Sequence, residues 1–116
     1  MPKTQQQLNL EKLTYIPAGS VVDVEIITAT ESKRVKIEFI GLLNEQYIIL
    51  NYPPVKRLPN AGDFIKEGVM VIVRAVLESG GGQVIAFRQQ IKAVASHPCR
   101  LIFLNFPQQV QLFSLR

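Results

Sequence analysis

Alternation of apolar and polar residues sets the reading of this chain. Val35, Ile37 and Phe39 alternate with Arg34, Lys36 and Glu38, the period-two pattern of a strand with one face in a core and the other in water. Upstream, Val22, Val24 and Ile26 share a face, with Asp23 and Glu25 on the opposite one. Gly41 interrupts the second strand, as expected at a bulge or sharp bend. Asn44-Glu45 then turns tightly into an apolar strand from Tyr47 to Leu50. Tyr52-Pro53-Pro54 stops that strand, because proline has no N–H to give to a ladder.

Residues 54–67 form the one long connection: Pro54, Pro59, Asn60 and Gly62 forbid extended pairing, and Asp63-Phe64-Ile65-Lys66 suits a single helical turn. The fourth strand, Val69 to Leu77, begins apolar on both faces, which predicts a central strand covered on both sides. Ser79-Gly80-Gly81-Gly82 supplies the positive φ of a hairpin turn. The fifth strand runs from Val84 to Ile91 and on toward Val94, His97-Pro98 makes a corner, and the sixth spans Leu101 to Phe106. Pro107 bends the chain before Val110–Leu115. At the other end, residues 1–17 read as an N-terminal arm. Leu8, Leu10 and Leu13 suit a short helical turn or an extended arm docked by its leucines, and Pro17-Ala18-Gly19-Ser20 is turn chemistry. About six short strands with little helix imply an all-β, six-stranded antiparallel barrel or sandwich. A closed or split barrel is favoured because long apolar strands need their edges managed. Val35, Ile37, Phe39, Val71, Val73, Phe87 and Phe103 are the expected core.

Composition agrees with one globular domain. The 116 residues are 47% hydrophobic and 19% charged, enough for a core and against disorder. No apolar run reaches the length of a membrane span. Met1-Pro2-Lys3, Thr4 and three glutamines make no signal peptide, so the expected address is cytoplasmic. Cys99 is the single cysteine and permits no internal disulfide. The net charge of +4 is spread as short pairs, Lys33-Arg34 and Lys56-Arg57, which read as a solvated surface rather than a binding arm.

Candidate chemistry is sparse. A nucleophile needs a nearby base, and only His97 and Cys99, straddling Pro98, qualify by residue type; a surface corner accounts for them better. One His and one Cys do not complete a zinc set. Asp23, Glu25, Glu31, Glu38 and Glu45 are scattered face charges. The glycine run lacks the Gly-Lys-Ser/Thr of a phosphate loop and sits between strands. Single-stranded nucleic acid would need aromatics on an outward face ringed by basic residues. Phe39 is instead in phase with Val35 and Ile37, and Phe103 and Phe106 fall in a run apolar on both sides. A flavin phosphate has Arg74, Arg88 and Lys92 available, without a motif that demands it. No catalysis is expected.

The last third carries the chain's most specific pattern: Gly68-Val69-Met70-Val71-Ile72-Val73-Arg74, then Ala86-Phe87, then Phe106-Pro107 leading to Val110. With Phe39-Ile40-Gly41 and Tyr47 to Pro53 in order before it, the set resembles the N-terminal (PilZN) domain of YcgR-type flagellar brake proteins. The similarity covers about residues 18–116. It implies a six-stranded split barrel akin to flavin-binding barrels but without flavin or other cofactor. It further implies a regulatory, non-enzymatic domain that precedes a PilZ domain, packs against it, and dimerises. Cyclic di-GMP is then a ligand of the complete two-domain protein at the domain junction. In that picture Arg116 is the first arginine of the phosphate-gripping Arg-x-x-x-Arg motif and Leu115 the residue just before the switch. Flagellar motor proteins are candidate partners. The second arginine and the PilZ Asp/Asn-x-Ser-x-x-Gly motif do not occur in these residues, which leaves two expectations, a cut at a domain boundary, favoured by the strand-like ending Leu112–Arg116, or a stand-alone paralogue without the receptor half. The alternative is a small split barrel binding flavin or single-stranded nucleic acid.

Overall fold

Seven antiparallel strands build the protein in a computed structural model that describes residues 2–78 and 82–114. They are β1 (Val21–Ile27), β2 (Ser32–Leu43), β3 (Tyr47–Asn51), β4 (Met70–Leu77), β5 (Gln83–Ala95), β6 (Leu101–Asn105) and β7 (Gln111–Ser114). The strand order is β4-β1-β2-β3-β6-β5-β7, and β4 also pairs with β5. That last pairing closes the first six strands into a barrel and leaves β7 as an addition outside it.

The two longest strands make the corners. β2 pairs with β1 through Glu38 and with β3 from Phe39 onward, with a register shift between Phe39 and Gly41. β5 pairs with β4 through Gln90 and with β6 from Ile91, again with a shift between Ile91 and Ala93. An extra residue bends a strand and adds twist, so each long strand passes from one sheet to the other at its bulge. Beside the early half of β5, β7 continues the lane that β6 occupies beside the late half: Ile91 faces Leu104, while Ala86 faces Gln111 and Gln83 faces Ser114.

The alternating strands send one face inward. Val22, Val24 and Ile26 of β1, Val35, Ile37 and Phe39 of β2, and Val71 and Val73 of β4 are buried, as are Ile85, Phe87 and Ile91 of β5. In β6 the inward residues are Ile102 and Leu104. Phe103 is therefore displaced from its expected core position. It lies half-buried on the outer face, where its ring meets Tyr47 edge-on with centroids 6.3 Å apart. In a run apolar on both faces, sequence alone does not choose the inward phase; the ladder with Leu50 and Ile48 does. The expectation that β4 is covered on both sides is likewise corrected. It has strand neighbours on both edges, but Val76 on its outer face is 55% exposed.

Each open end of the barrel is plugged. The connection before β4 contributes Leu58, Ala61 and Ile65 at one end, with its 3-10 turn at Ala61–Asp63 rather than at 63–66. Asn60 opens that turn at φ 59, and the Arg57 guanidinium donates to the Lys36 carbonyl at 3.0 Å. At the other end the N-terminal arm is more structured than a single turn. A helix α1, Gln5–Glu11, is started by a capping box in which Thr4 and Gln7 satisfy each other's backbone N–H groups. A 3-10 turn, Lys12–Tyr15, then delivers Leu13 into the core at 0% exposure, followed by Ile16. Of the arm's leucines, only Leu13 docks fully; Leu10 is half-buried and Leu8 exposed.

Candidate interaction surface

Because strand side chains alternate, every inward row of the barrel has an outward counterpart, and the outer face of β1, β4, β5 and β7 is unusual. Across these strands Asp23 faces Arg74, Arg74 faces Ala86, and Ala86 faces Gln111. One row further along, Val76 faces Val84 and Val84 faces Phe113. Val21 of β1 extends this row and lines a groove with Val76, Tyr15 and Pro17. Val21 is 52% and Phe113 50% exposed, so an apolar stripe crosses the outside of the barrel. Such a contiguous patch on a soluble domain is a marker of an interaction site.

Polar groups bound the stripe on both sides. Beyond it on one side lies Glu78, exposed and bordering the Val21–Val76 groove. On the other side an open groove of about 670 Å³ runs past Ile72, Arg74, Ala86, Arg88, Gln111 and Phe113. Glu25 accepts from Arg74 at 3.2 Å and lies 3.5 Å from Arg34. Arg88 and Glu78, both exposed, have no ion-pair partner among the described residues. A free guanidinium presents a planar fork of donors suited to a carboxylate or phosphate.

The other candidate residues fall apart in space or into the core. Arg74 and Arg88 share the groove, but Lys92 sits on the bulge of β5 and does not line it. Phe39 and Phe87 are buried, Tyr52 lies under Arg100 at 5.0 Å, and Tyr47 and Phe103 meet edge-on outside the barrel. His97 and Cys99 are exposed on their corner and share no hydrogen bond. No group of three or more His, Cys, Asp or Glu suited to a metal ion occurs among the described residues. Arg116 and Leu115, the residues expected at the cyclic di-GMP junction, lie outside the described residues, as do Ser79, Gly80 and Gly81 of the hairpin turn. Sequence reasoning missed Val21 and Val76 as surface residues. Their signal was present in the two-sided apolar character of β4, which reads equally well as double coverage.

This architecture is that of a six-stranded antiparallel split barrel carrying an added edge strand and an exposed apolar face. The chain belongs to the flagellar protein YcgR family (PilZNR), whose model matches residues 17–107. It is also similar to the cyclic di-GMP binding protein VCA0042 of Vibrio cholerae serotype O1, with 28% identity over 119 residues. That match takes in 98% of this chain and 46% of the relative. Among solved structures, the Bacillus subtilis inhibitor of motility MotI/DgrA shares the fold, with a TM-score of 0.67 and 21% identity. There the match covers 87% of this chain and 47% of the other. The chain thus spans about half the length of these proteins. No helix among the described residues is long and apolar enough to cross a membrane.

Proposed function

We propose that this chain is the non-catalytic, accessory half of a cytoplasmic cyclic di-GMP receptor that regulates flagellar motility. The observation that carries the reading is the family match over residues 17–107. A relative named for cyclic di-GMP binding, which aligns with nearly the whole chain over about half its own length, supports it. In this reading a PilZ domain continues in cis from the end of β7 and packs against the barrel. Arg116 then opens the Arg-x-x-x-Arg grip on the phosphodiester, with Leu115 beside it, since paired arginine forks match phosphate oxygens. The barrel contributes docking surface, a second copy and flagellar motor proteins being further partners, and holds no cofactor of its own.

The test is calorimetry on two proteins. A version continued to the length of its relatives, with the second arginine and the PilZ motif in place, binds cyclic di-GMP and loses that binding on Arg116→Ala. The 116-residue chain shows no affinity at low micromolar concentration. Tight, saturable binding by the short chain that survives Arg116→Ala overturns the reading, because a complete site would then lie within the barrel.

A further inference from the structure

Charge is divided unevenly between the two ends of the barrel. The end plugged by the N-terminal arm carries Glu11, Glu45 and Glu78 against Lys3 and Lys12. The opposite end, closed by the connection between β3 and β4, is the basic one. There Lys56, Arg57 and Lys66 of the connection join Lys33 of β2 and Arg100 before β6, against Glu31, Asp63 and Glu67. Lys33 is occupied: its ammonium lies 3.6 Å from Glu31 and 5.5 Å from the centre of the Phe64 ring. Lys56, Arg57, Lys66 and Arg100 are exposed and have no ion-pair partner among the described residues, Asp63 and Glu67 included.

Among these cations an apolar side chain is held out in solvent. Val55 is 79% exposed, more than any other large hydrophobic residue described. The backbone fixes it there. Pro53 and Leu58 are buried on either side of it, and the N–H groups of Arg57 and Leu58 donate to the Pro54 carbonyl at 2.9 and 3.2 Å. Residues 54–58 thus close into a turn with Val55 and Lys56 at its tip, entered through two prolines whose rings fix φ. The Arg100 guanidinium lies over Tyr52, and Tyr52, Val55 and Arg100 line one groove with Pro53 and Pro54. The tip therefore has Lys56 and Arg57 directly after it and Arg100 across the groove. A fixed apolar projection ringed by cations complements a surface that is negative outside and apolar beneath. Anionic headgroups attract Lys and Arg by about fivefold in affinity per residue near the surface, and an apolar side chain gains by reaching the acyl boundary. A folded partner would need a preformed pocket for Val55, whereas a bilayer opens around it. The last described residue of β7, Ser114, pairs with Gln83 beside Lys12 of the arm, so β7 ends at the other end of the barrel and leaves this surface clear.

We propose that the barrel end closed by the β3–β4 connection docks on a membrane surface rich in anionic lipid, with Val55 as the inserted tip and Lys56, Arg57 and Arg100 as the headgroup contacts. The proposal goes beyond the nucleotide-receptor reading and does not rest on it. Its failure would leave cyclic di-GMP binding by a longer form untouched, and failure of the nucleotide reading would leave the lipid contact intact.

Co-sedimentation of the 116-residue chain with vesicles of equal parts phosphatidylglycerol and phosphatidylcholine is the test, with circular dichroism checking that each variant keeps its fold. At low ionic strength the chain pellets with these vesicles and not with vesicles of phosphatidylcholine alone, and added salt releases it. Lys56→Glu/Arg57→Glu lowers partitioning by about twentyfold or more, whereas Lys3→Glu/Arg88→Glu, the same change of net charge placed elsewhere, lowers it by less than about fivefold. Val55→Asp weakens binding by about fivefold or more, and Val55→Trp, which puts an interfacial aromatic at the tip, strengthens it. No binding to the anionic vesicles overturns the proposal, as does an equal loss for the two charge-reversed pairs. Indifference to both Val55 substitutions overturns the inserted tip. Retention on immobilised polyglutamate without retention on the vesicles assigns the surface to an acidic protein and overturns the lipid occupant.

Discussion

Phe39 and Phe103 provide a paired test of which residues the barrel encloses. Both sit on apolar-rich strands, and the sequence alone predicts the same loss for either. The structure separates them: Phe39 is 2% exposed inside the barrel, whereas Phe103 is half-buried outside it against the edge of Tyr47. Emptying an enclosed aromatic site costs the transfer free energy of the ring and the energy of the cavity left behind, about 3–5 kcal/mol together. At Phe103 no cavity is enclosed, because solvent reaches the vacated space. What is lost there is part of the transfer free energy and an edge-on ring pair of about 0.5–1.5 kcal/mol, for a total of about 1–2 kcal/mol.

Small domains are stable by only about 5–15 kcal/mol, so the difference is large on the scale of the whole fold. Urea melts of the wild type, Phe39→Ala and Phe103→Ala should show similar slopes and well-separated midpoints, Phe39→Ala being the lower. A Phe103→Ala loss equal to or greater than that of Phe39→Ala would refute the phase of β6 relative to β3. A Phe39→Ala loss below about 1 kcal/mol would refute the inward face of β2.

Leu13→Ala should cost about 2–5 kcal/mol in the same melts, because Leu13 is fully buried although it lies in the N-terminal arm; a loss near zero would detach the arm from the core. Gly68→Ala should destabilise by about 1–2 kcal/mol through backbone conformation alone. Gly68 has φ +88 and an added Cβ would meet no atom within 4 Å, so Gly68→Asn should recover part of the loss, and equal losses for both would point to a clash. Isothermal calorimetry of the isolated chain with cyclic di-GMP should stay at baseline at low micromolar concentration, whereas the form of relative length should titrate.

How much of this was legible in the sequence follows from where alternation is strict. Asp23 and Glu25 in β1, and Arg34, Lys36 and Glu38 in β2, mark the outer face beside the inward sets Val22–Val24–Ile26 and Val35–Ile37–Phe39, so pattern alone chose the phase there. Gly41 was legible as a bulge because a glycine amid a strand has few other uses, and the register shift falls there. The phase fails where both faces are apolar. Leu101 to Leu104 offers equal hydrophobicity to either side, and only the ladder with β3 sends Ile102 and Leu104 inward. The Thr4–Gln7 capping box was readable, yet α1 buries none of its own residues, so no apolar period announced the helix.

The same failure of phase explains why the candidate surface went unseen. The Val69–Leu77 stretch is apolar on two sides, and two physical situations produce that pattern: a strand covered twice within its own domain, or a strand covered once and offered outward. Sequence cannot tell them apart, because the second cover is not part of the fold that the pattern specifies. The structure decides by subtraction. Val71, Val73, Ala75 and Leu77 are covered within the barrel, while Val76 stays 55% exposed among Val21, Val84 and Phe113. A valine on the outside of a strand adds β-propensity, but four apolar residues in one cross-strand row exceed what propensity requires. The excess argues that the row serves contact with another surface, flanked by Glu78 on one side and by Arg74 and Arg88 on the other.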